Sequence, residues 1–383
     1  MKIRTFLYIA TLICTATLPS CSDENMTEQT PESRNYELSF DVATRATDSK
    51  TDEEVEFRSL YIYAYDDANG TVDFYEKTGI NREKNKYAIR MSIQKEGKKR
   101  FYVIANPPRY IKEQLTEECP EERLKSLVIA MQGIAYSMDE LPQNQDGVSE
   151  KSNTGFPMAN VVTAYVRLAD VANRKMALQV SMDDTSLITD IPVIRCLAKV
   201  TVKAYLDGHT TPVSVTGMSI YNFTGDGLFM PVWEAGANDW VTAATTGYAQ
   251  WNTAGKRLNL AALEQQETQV ITSATSVLKT SASVSGTYTN QNNALTLTSF
   301  YLCQNSYGEK TPGDTVDGLA DTQGNRTTKL TVNLSDGRNS EFSLPYLRRN
   351  DHLTVYLKIS EYAILFDFKI WNLVTVTPDW NEE

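Results

Sequence analysis

The sequence predicts an all-β protein with one short helix, built as two β-sandwich domains in tandem. Three observations predict it. Strand-length runs rich in Tyr, Val, Ile and Thr recur along the chain from residue 36 onward, either alternating with polar residues or continuously apolar. Loops rich in Gly, Asn, Asp and Thr separate them, and a single stretch has a helical period. With 383 residues, 41% of them hydrophobic, the chain has enough length and apolar surface for about two domains.

The N-terminal segment comes first. Lys2 and Arg4 precede the apolar run TFLYIATLICTATL, which is too short to span a bilayer and has the shape of a secretory signal over residues 1–20. The run closes with LPSC, which resembles the lipobox of bacterial lipoproteins, with Cys21 as the residue that is lipidated and becomes the new N-terminus. A plain secretory signal with a chance cysteine is the competing reading, and the spacing and the small Ser20 weigh against it. The polar SDENMTEQTPES that follows reads as a tether. It also resembles the acidic stretch that directs lipoproteins of Bacteroidetes to the cell surface, so an outer-membrane, surface-exposed location is expected.

Charge and cysteine usage narrow the function classes. The formal charge is −11, and loss of Lys2 and Arg4 with the signal leaves 35 basic against 48 acidic residues, or −13, which disfavours nucleic acid as a partner. After Cys14 and Cys21 there remain Cys119, Cys196 and Cys303, an odd number without a CxxC, so neither a disulfide framework nor a zinc site is implied. In IRCLAKVTV, Cys196 shares a strand face with Ile194, Ala198, Val200 and Val202 and reads as a buried, inert thiol. A Cys196–Cys303 bridge stays open.

The first strand is YELSFDVAT, in which Tyr36, Leu38, Phe40 and Val42 alternate with Glu37, Ser39, Asp41 and Ala43. It runs straight into Thr44-Arg45-Ala46, either an ordinary polar loop or a site meant to be cut. FRSLYIYAYD and TVDFYEK then flank Asp67-Ala68-Asn69-Gly70, a strong hairpin signal. The same loop places Asp67, Asn69, Gly70 and Glu76 at calcium-loop positions, but Tyr65 cannot supply the first carboxylate, so the hairpin is preferred. KYAIRMSI and KRFYVIANPP follow as strands. The one helix is expected from Pro120 to Gly133, with Leu124, Leu127, Val128 and Met131 at i, i+3, i+4 and i+7, covering a sheet face or edge. GFPMAN, VVTAYVRLAD and RKMALQVSM complete a first domain, residues 46–186, and DDTSLITD is the junction. A second domain, residues 187–383, opens with IPVIRCLAKVTVKAYL and continues through VSVTGMSIYNF, ALTLTSFYLC, TTKLTVNLS, HLTVYLKIS and AILFDFKIWNLVTV.

Catalytic and metal signatures are scarce. His209 and His352 sit in unlike settings, and no HExxH, GxSxG, Walker or dinucleotide motif occurs, so neither an enzyme nor a cofactor is expected. Asp314, Asp317 and Asp321 lie in what reads as a solvated loop. Trp233, Trp240 and Trp251 cluster in a loop-like region and keep open a surface glycan-binding lipoprotein, although core packing is the commoner fate of tryptophan.

Four stretches, RFYVIANPP, GFPMAN, VIRCLAKVTV and RRNDHLTVYLKI, resemble in order and spacing the recurring strands of Bacteroidales fimbrillins, the type V pilin family. The resemblance implies two transthyretin-like sandwiches, export as a lipoprotein on Cys21, Arg-specific cleavage between Arg45 and Ala46, and polymerisation by strand exchange. It makes residues 21–45 a lipidated propeptide whose strand, carrying Tyr36, Leu38, Phe40 and Val42, is removable. It also makes the segment of about 362–380 a donor strand, through Ile364, Phe366, Phe368 and Ile370; the residues alone suit an ordinary last strand of the second sandwich equally well. The partners implied are other fimbrial subunits, shaft and accessory, the outer membrane through the lipid, and a host or bacterial surface ligand. An accessory or anchor subunit is the alternative role.

Overall fold

A computed structural model describes residues 36–44, 56–83, 86–130, 155–179, 182–183, 186–223, 226–231, 275–278, 282–305, 307–309, 320–322 and 326–371. They belong to one unit, Asn35–Glu383; Met1–Arg34, with Cys21, lies outside them. Arg45, Ala46, Asp314, Asp317, Trp233, Trp240 and Trp251 also lie outside the described residues.

The chain order begins with β1 (Tyr36–Thr44), β2 (Phe57–Asp66), β3 (Val72–Glu83), β4 (Lys86–Ile93) and β5 (Gly97–Ala105). The hairpin between β2 and β3 forms as its sequence demands: Gly70 takes φ +69°, and the Asp66 carboxylate accepts the Ala68 and Asn69 N–H groups at 3.0 and 3.3 Å. Two short helices follow, α1 (Arg109–Lys112) and α2 (Glu121–Lys125), and then β6 (Val128–Ala130). Here the expectation of one helix reaching Gly133 is corrected. The helix ends at Ser126, and the β-branched Val128 and Ile129 pair with a distant strand instead. Val128 is 39% exposed, on a chain that no longer follows the helical period that would have buried it.

The helical segment does cover a sheet face. The Tyr63 hydroxyl donates to Thr116 O at 2.9 Å, the Tyr65 hydroxyl to Cys119 O, and the Tyr102 hydroxyl to Glu121 at 2.7 Å. This cover explains why β2 is apolar without alternation: its last seven residues are buried, whichever face they point to.

The chain continues with β7 (Met158–Asp170), β8 (Lys175–Gln179), β9 (Leu187–Ile188) and β10 (Asp190–Arg195). Together with β1 to β5 they form a nine-stranded sheet in the order β3-β2-β5-β7-β10-β1-β8-β9, with β4 on β1 and a further β7–β8 pairing. β7 and β1 are thus bridged at one end by β10 and at the other by β8, and the sheet folds over on itself. Phe40 of β1 meets Phe101 of β5 edge to face, centroids 6.1 Å apart, across the space enclosed.

At Cys196 the chain changes sheet. IPVIRCLAKVTV is two strands rather than one, β10 and β11 (Leu197–Leu206), parted where the Cys196 N–H donates to Pro157 O at 3.0 Å. After β11 come β12 (Val213–Tyr221), β13 (Asp226–Leu228), β14 (Thr275–Leu278), β15 (Ala282–Val284), β16 (Leu295–Cys303), β17 (Lys329–Leu334), β18 (Asn339–Ser343), β19 (His352–Ile359) and β20 (Ile364–Trp371). They form a four-stranded sheet, β16-β11-β19-β20, and a five-stranded one, β14-β12-β17-β18 with β15 on β12. Among the described residues, the β6–β13 pair is the one ladder joining strands from before and after Cys196.

Candidate functional site

The strand that precedes Thr44-Arg45-Ala46 is not at an edge. β1 pairs antiparallel with β4 over its length, from Tyr36 opposite Ile93 to Ala43 opposite Lys86. Its other side runs parallel to β10, Asp41–Thr44 against Asp190–Val193, and to β8 at Glu37 and Leu38. The Glu37 and Asp41 N–H groups donate to Arg174 O and Thr189 O at 3.0 and 2.9 Å. Leu38, Phe40 and Val42 are buried in the core, while Tyr36 is half-buried at the entry. On the outward face an exposed pair joins Lys86 to Asp41 at 2.9 Å. Lifting β1 out would open a cleft with an apolar floor and a row of unpaired N–H and C=O groups on each wall.

The motif residues read from the sequence turn out to be polar fasteners between segments of the fold. Asn106, with φ 52°, takes the N–H of Arg58 on its side-chain oxygen at 2.8 Å and donates to Glu56 O and Phe156 O at 2.8 and 2.9 Å, the last two bonds buried from water. Gly155, φ +70°, leaves the room this needs, since a Cβ there would stand 2.6 Å from the Asn106 amide nitrogen. Asn160 donates to Pro192 O at 2.8 Å and ties β7 to β10. Asn350, φ 67°, accepts from Arg195 Nε at 3.1 Å, and Arg349 donates to Phe229 O, Leu228 O and Gln304 at 3.0, 2.6 and 3.2 Å. A buried asparagine with positive φ thus fastens each half, and ANPP and RRND carry those two residues.

Cys119, Cys196 and Cys303 are buried thiols, not disulfides. Burial pushes the Cys196 thiol up to about 12, against the opposing pull of Arg349, so it stays protonated and inert. Tyr65, at the first position of the alternative calcium reading, is buried under the helical segment.

β20 has a different setting. Among the described residues it is an edge strand of its sheet, and it pairs antiparallel with β19 of the same chain from Ile364 opposite Ile359 to Trp371 opposite His352. Ile364 is buried; Phe366 and Phe368 are half-buried against Phe342 of β18, with centroids 3.5 and 5.8 Å apart, and close the mouth between the two sheets. Ile370 lies in the same ladder, opposite Leu353, and the rest of the segment expected as a donor lies outside the described residues. The walls of the β1 cleft, β4, β8 and β10, were not singled out by the sequence; which strands would neighbour β1 left no local signal.

Fold and site together define an all-β protein with its first strand set inside its own sheet. Among solved structures the chain is similar to the tip fimbrial protein Mfa3 of Porphyromonas gingivalis, with a C-terminal truncation, at TM-score 0.50 and 13% identity, over 88% of this chain and 99% of that one. A fimbrial assembly protein of Parabacteroides distasonis aligns at TM-score 0.46 and 9% identity, over 88% and 95%. No protein-family model and no curated protein matches. The chain has the fold of Mfa3, which bears out at the level of fold the resemblance carried by the four strand motifs.

Proposed function

We propose that this chain is a structural subunit of a bacterial surface fimbria. It is exported as a lipoprotein on Cys21, matured by cleavage between Arg45 and Ala46, and polymerised when a strand from another subunit replaces β1. The two halves of the chain act as separate sandwich domains, it has no enzymatic role, and adhesion follows from the assembled fibre. One observation carries the reading: β1 is an internal strand with both edges paired, and it ends one residue before an arginine. Burying Leu38, Phe40 and Val42 stabilises the fold by roughly 1.5 to 3 kcal/mol each, so a cleaved chain is strongly driven to accept a replacement strand.

The test is the N-terminal residue of the protein recovered from the cell surface, together with an Arg45→Ala variant. Ala46 at the terminus of polymers, and a lipidated monomer from Arg45→Ala, are the expected results. Polymers of normal length built from uncut Arg45→Ala chains would refute placeholder removal.

An accessory or anchor subunit is the second reading, and β20 favours it. A strand already paired along its length with β19 and packed on Phe342 is less free to be donated than an unpaired tail. Phe368→Asp separates the two: a shaft donor loses its SDS-resistant ladders while the precursor keeps its melting temperature, whereas an own-sheet strand lowers that temperature.

A further inference from the structure

On the inner face of the first sheet, a lysine is buried between two carboxylates. Lys99 of β5 is fully buried, and Asp66 of β2 and Asp73 of β3 are nearly so. Lys99 Nζ stands 3.1 Å from Asp73 Oδ2 and 3.6 Å from Asp66 Oδ2, yet makes no aligned hydrogen bond. A buried ammonium in such a setting is a poor stabiliser, because desolvating the charges offsets much of their attraction. A buried donor without a hydrogen bond calls for a reason.

The sheet brings the three residues together from three adjacent strands. β3 and β5 both flank β2, so Lys99 reaches Asp73 across β2; the residue opposite Asp73 is Ala64, whose methyl leaves the path open. Asp73 Oδ1 accepts the Gln94 N–H at 3.1 Å, a donor aimed at the oxygen that gains charge if the carboxyl carbon is attacked. Asp66 is held by the Ala68 and Asn69 N–H groups and by Lys95 at 3.4 Å, which balances its charge independently of Lys99.

We propose that Lys99 and Asp73 condense to an intramolecular amide, with Asp66 as proton carrier. Lys99 first passes a proton to Asp73 Oδ2 across the 3.1 Å contact, leaving a neutral amine and a carboxylic acid. The amine lone pair attacks Asp73 Cγ and forms the C–N bond, while Oδ1 takes up charge against the Gln94 N–H. Asp66 removes a proton from the new ammonium and delivers it to the hydroxyl at Oδ2; the C–O bond breaks and one water leaves. The balance is amine plus acid to amide plus water, with no oxidant, reductant or activating group. The bond would staple the edge strand β3 to β5 across β2, a restraint suited to a chain under tension, and it limits the unfolded ensemble as any cross-link does.

Peptide mapping of the full chain recovered from cells tests it. The expected species is a branched tryptic peptide joining Ser59–Lys77 to Lys99–Arg100 with one water lost, because trypsin does not cut at an acylated lysine. In Asp66→Asn the branch should form at least about a hundredfold more slowly, the usual worth of a positioned proton carrier, with the circular dichroism spectrum unchanged. Recovery of Ser59–Lys77 at its unmodified mass, with Lys99 cut normally in the denatured protein, overturns the proposal. So does loss of water confined to Ser59–Lys77 with Lys99 still cut, which marks a cyclised aspartate rather than a cross-link.

Discussion

The first and last strands among the described residues have the same pattern and opposite positions. β1 and β20 both alternate apolar and polar residues, but β1 is walled by β4 on one side and by β8 and β10 on the other, whereas among the described residues β20 pairs with β19 alone. Leu38, Phe40 and Val42 are buried, while Phe366 and Phe368 are half-exposed and Leu365 is 52% exposed. An internal strand holds the two sides of its sheet together, and an edge strand caps one. Of the two, β1 is therefore the strand whose loss costs the fold more.

Removing each strand should have unequal effects on the fold. A chain lacking residues 36–44 forfeits roughly 5 to 9 kcal/mol of apolar burial from three side chains, which rivals the whole stability of an ordinary domain. It should be recovered aggregated or bound to another copy. A chain ending before Ile364 should remain soluble, with a lowered denaturation midpoint; equal damage from both deletions, read by size-exclusion chromatography, would erase the distinction.

Single side chains sharpen it. Phe40→Ala should destabilise the precursor by about 3 to 5 kcal/mol and Phe368→Ala by roughly half that or less, since large-to-small changes cost most where the site is fully enclosed. Urea unfolding followed by tryptophan fluorescence gives both numbers.

Acid should act on the first sheet through Glu121. Burial alone would raise its carboxyl, but the Arg100 and Tyr102 hydrogen bonds outweigh this and hold it below the usual carboxylate range. Its contribution is present above the unfolded value of 4.5 and is lost as pH falls through the lower folded value. Melting temperature measured from pH 6 down to about pH 3 should therefore fall less steeply in Glu121→Gln than in the parent chain. The smallest effect belongs to the exposed Lys86–Asp41 pair beside β1: Lys86→Ala should change stability by less than about 1 kcal/mol, and less still in high salt.

The class of the fold, the existence and inward faces of most strands, and the β2–β3 hairpin are legible in the residues alone. Alternation records which side of a strand is apolar, and Asn-Gly records a turn, both within a few residues. The limits are as physical. Leu124, Leu127 and Val128 satisfy a helical period, but β6 pairs with β13, about a hundred residues on, and that contact ends the helix. Likewise VIRCLAKVTV reads as one strand because both pieces are apolar, while Pro157, Asn350 and Arg195 decide that the chain breaks at Cys196. That β1 lies inside its sheet was settled by β4, β8 and β10, since periodicity tells which face of a strand is buried and never which strand lies beside it.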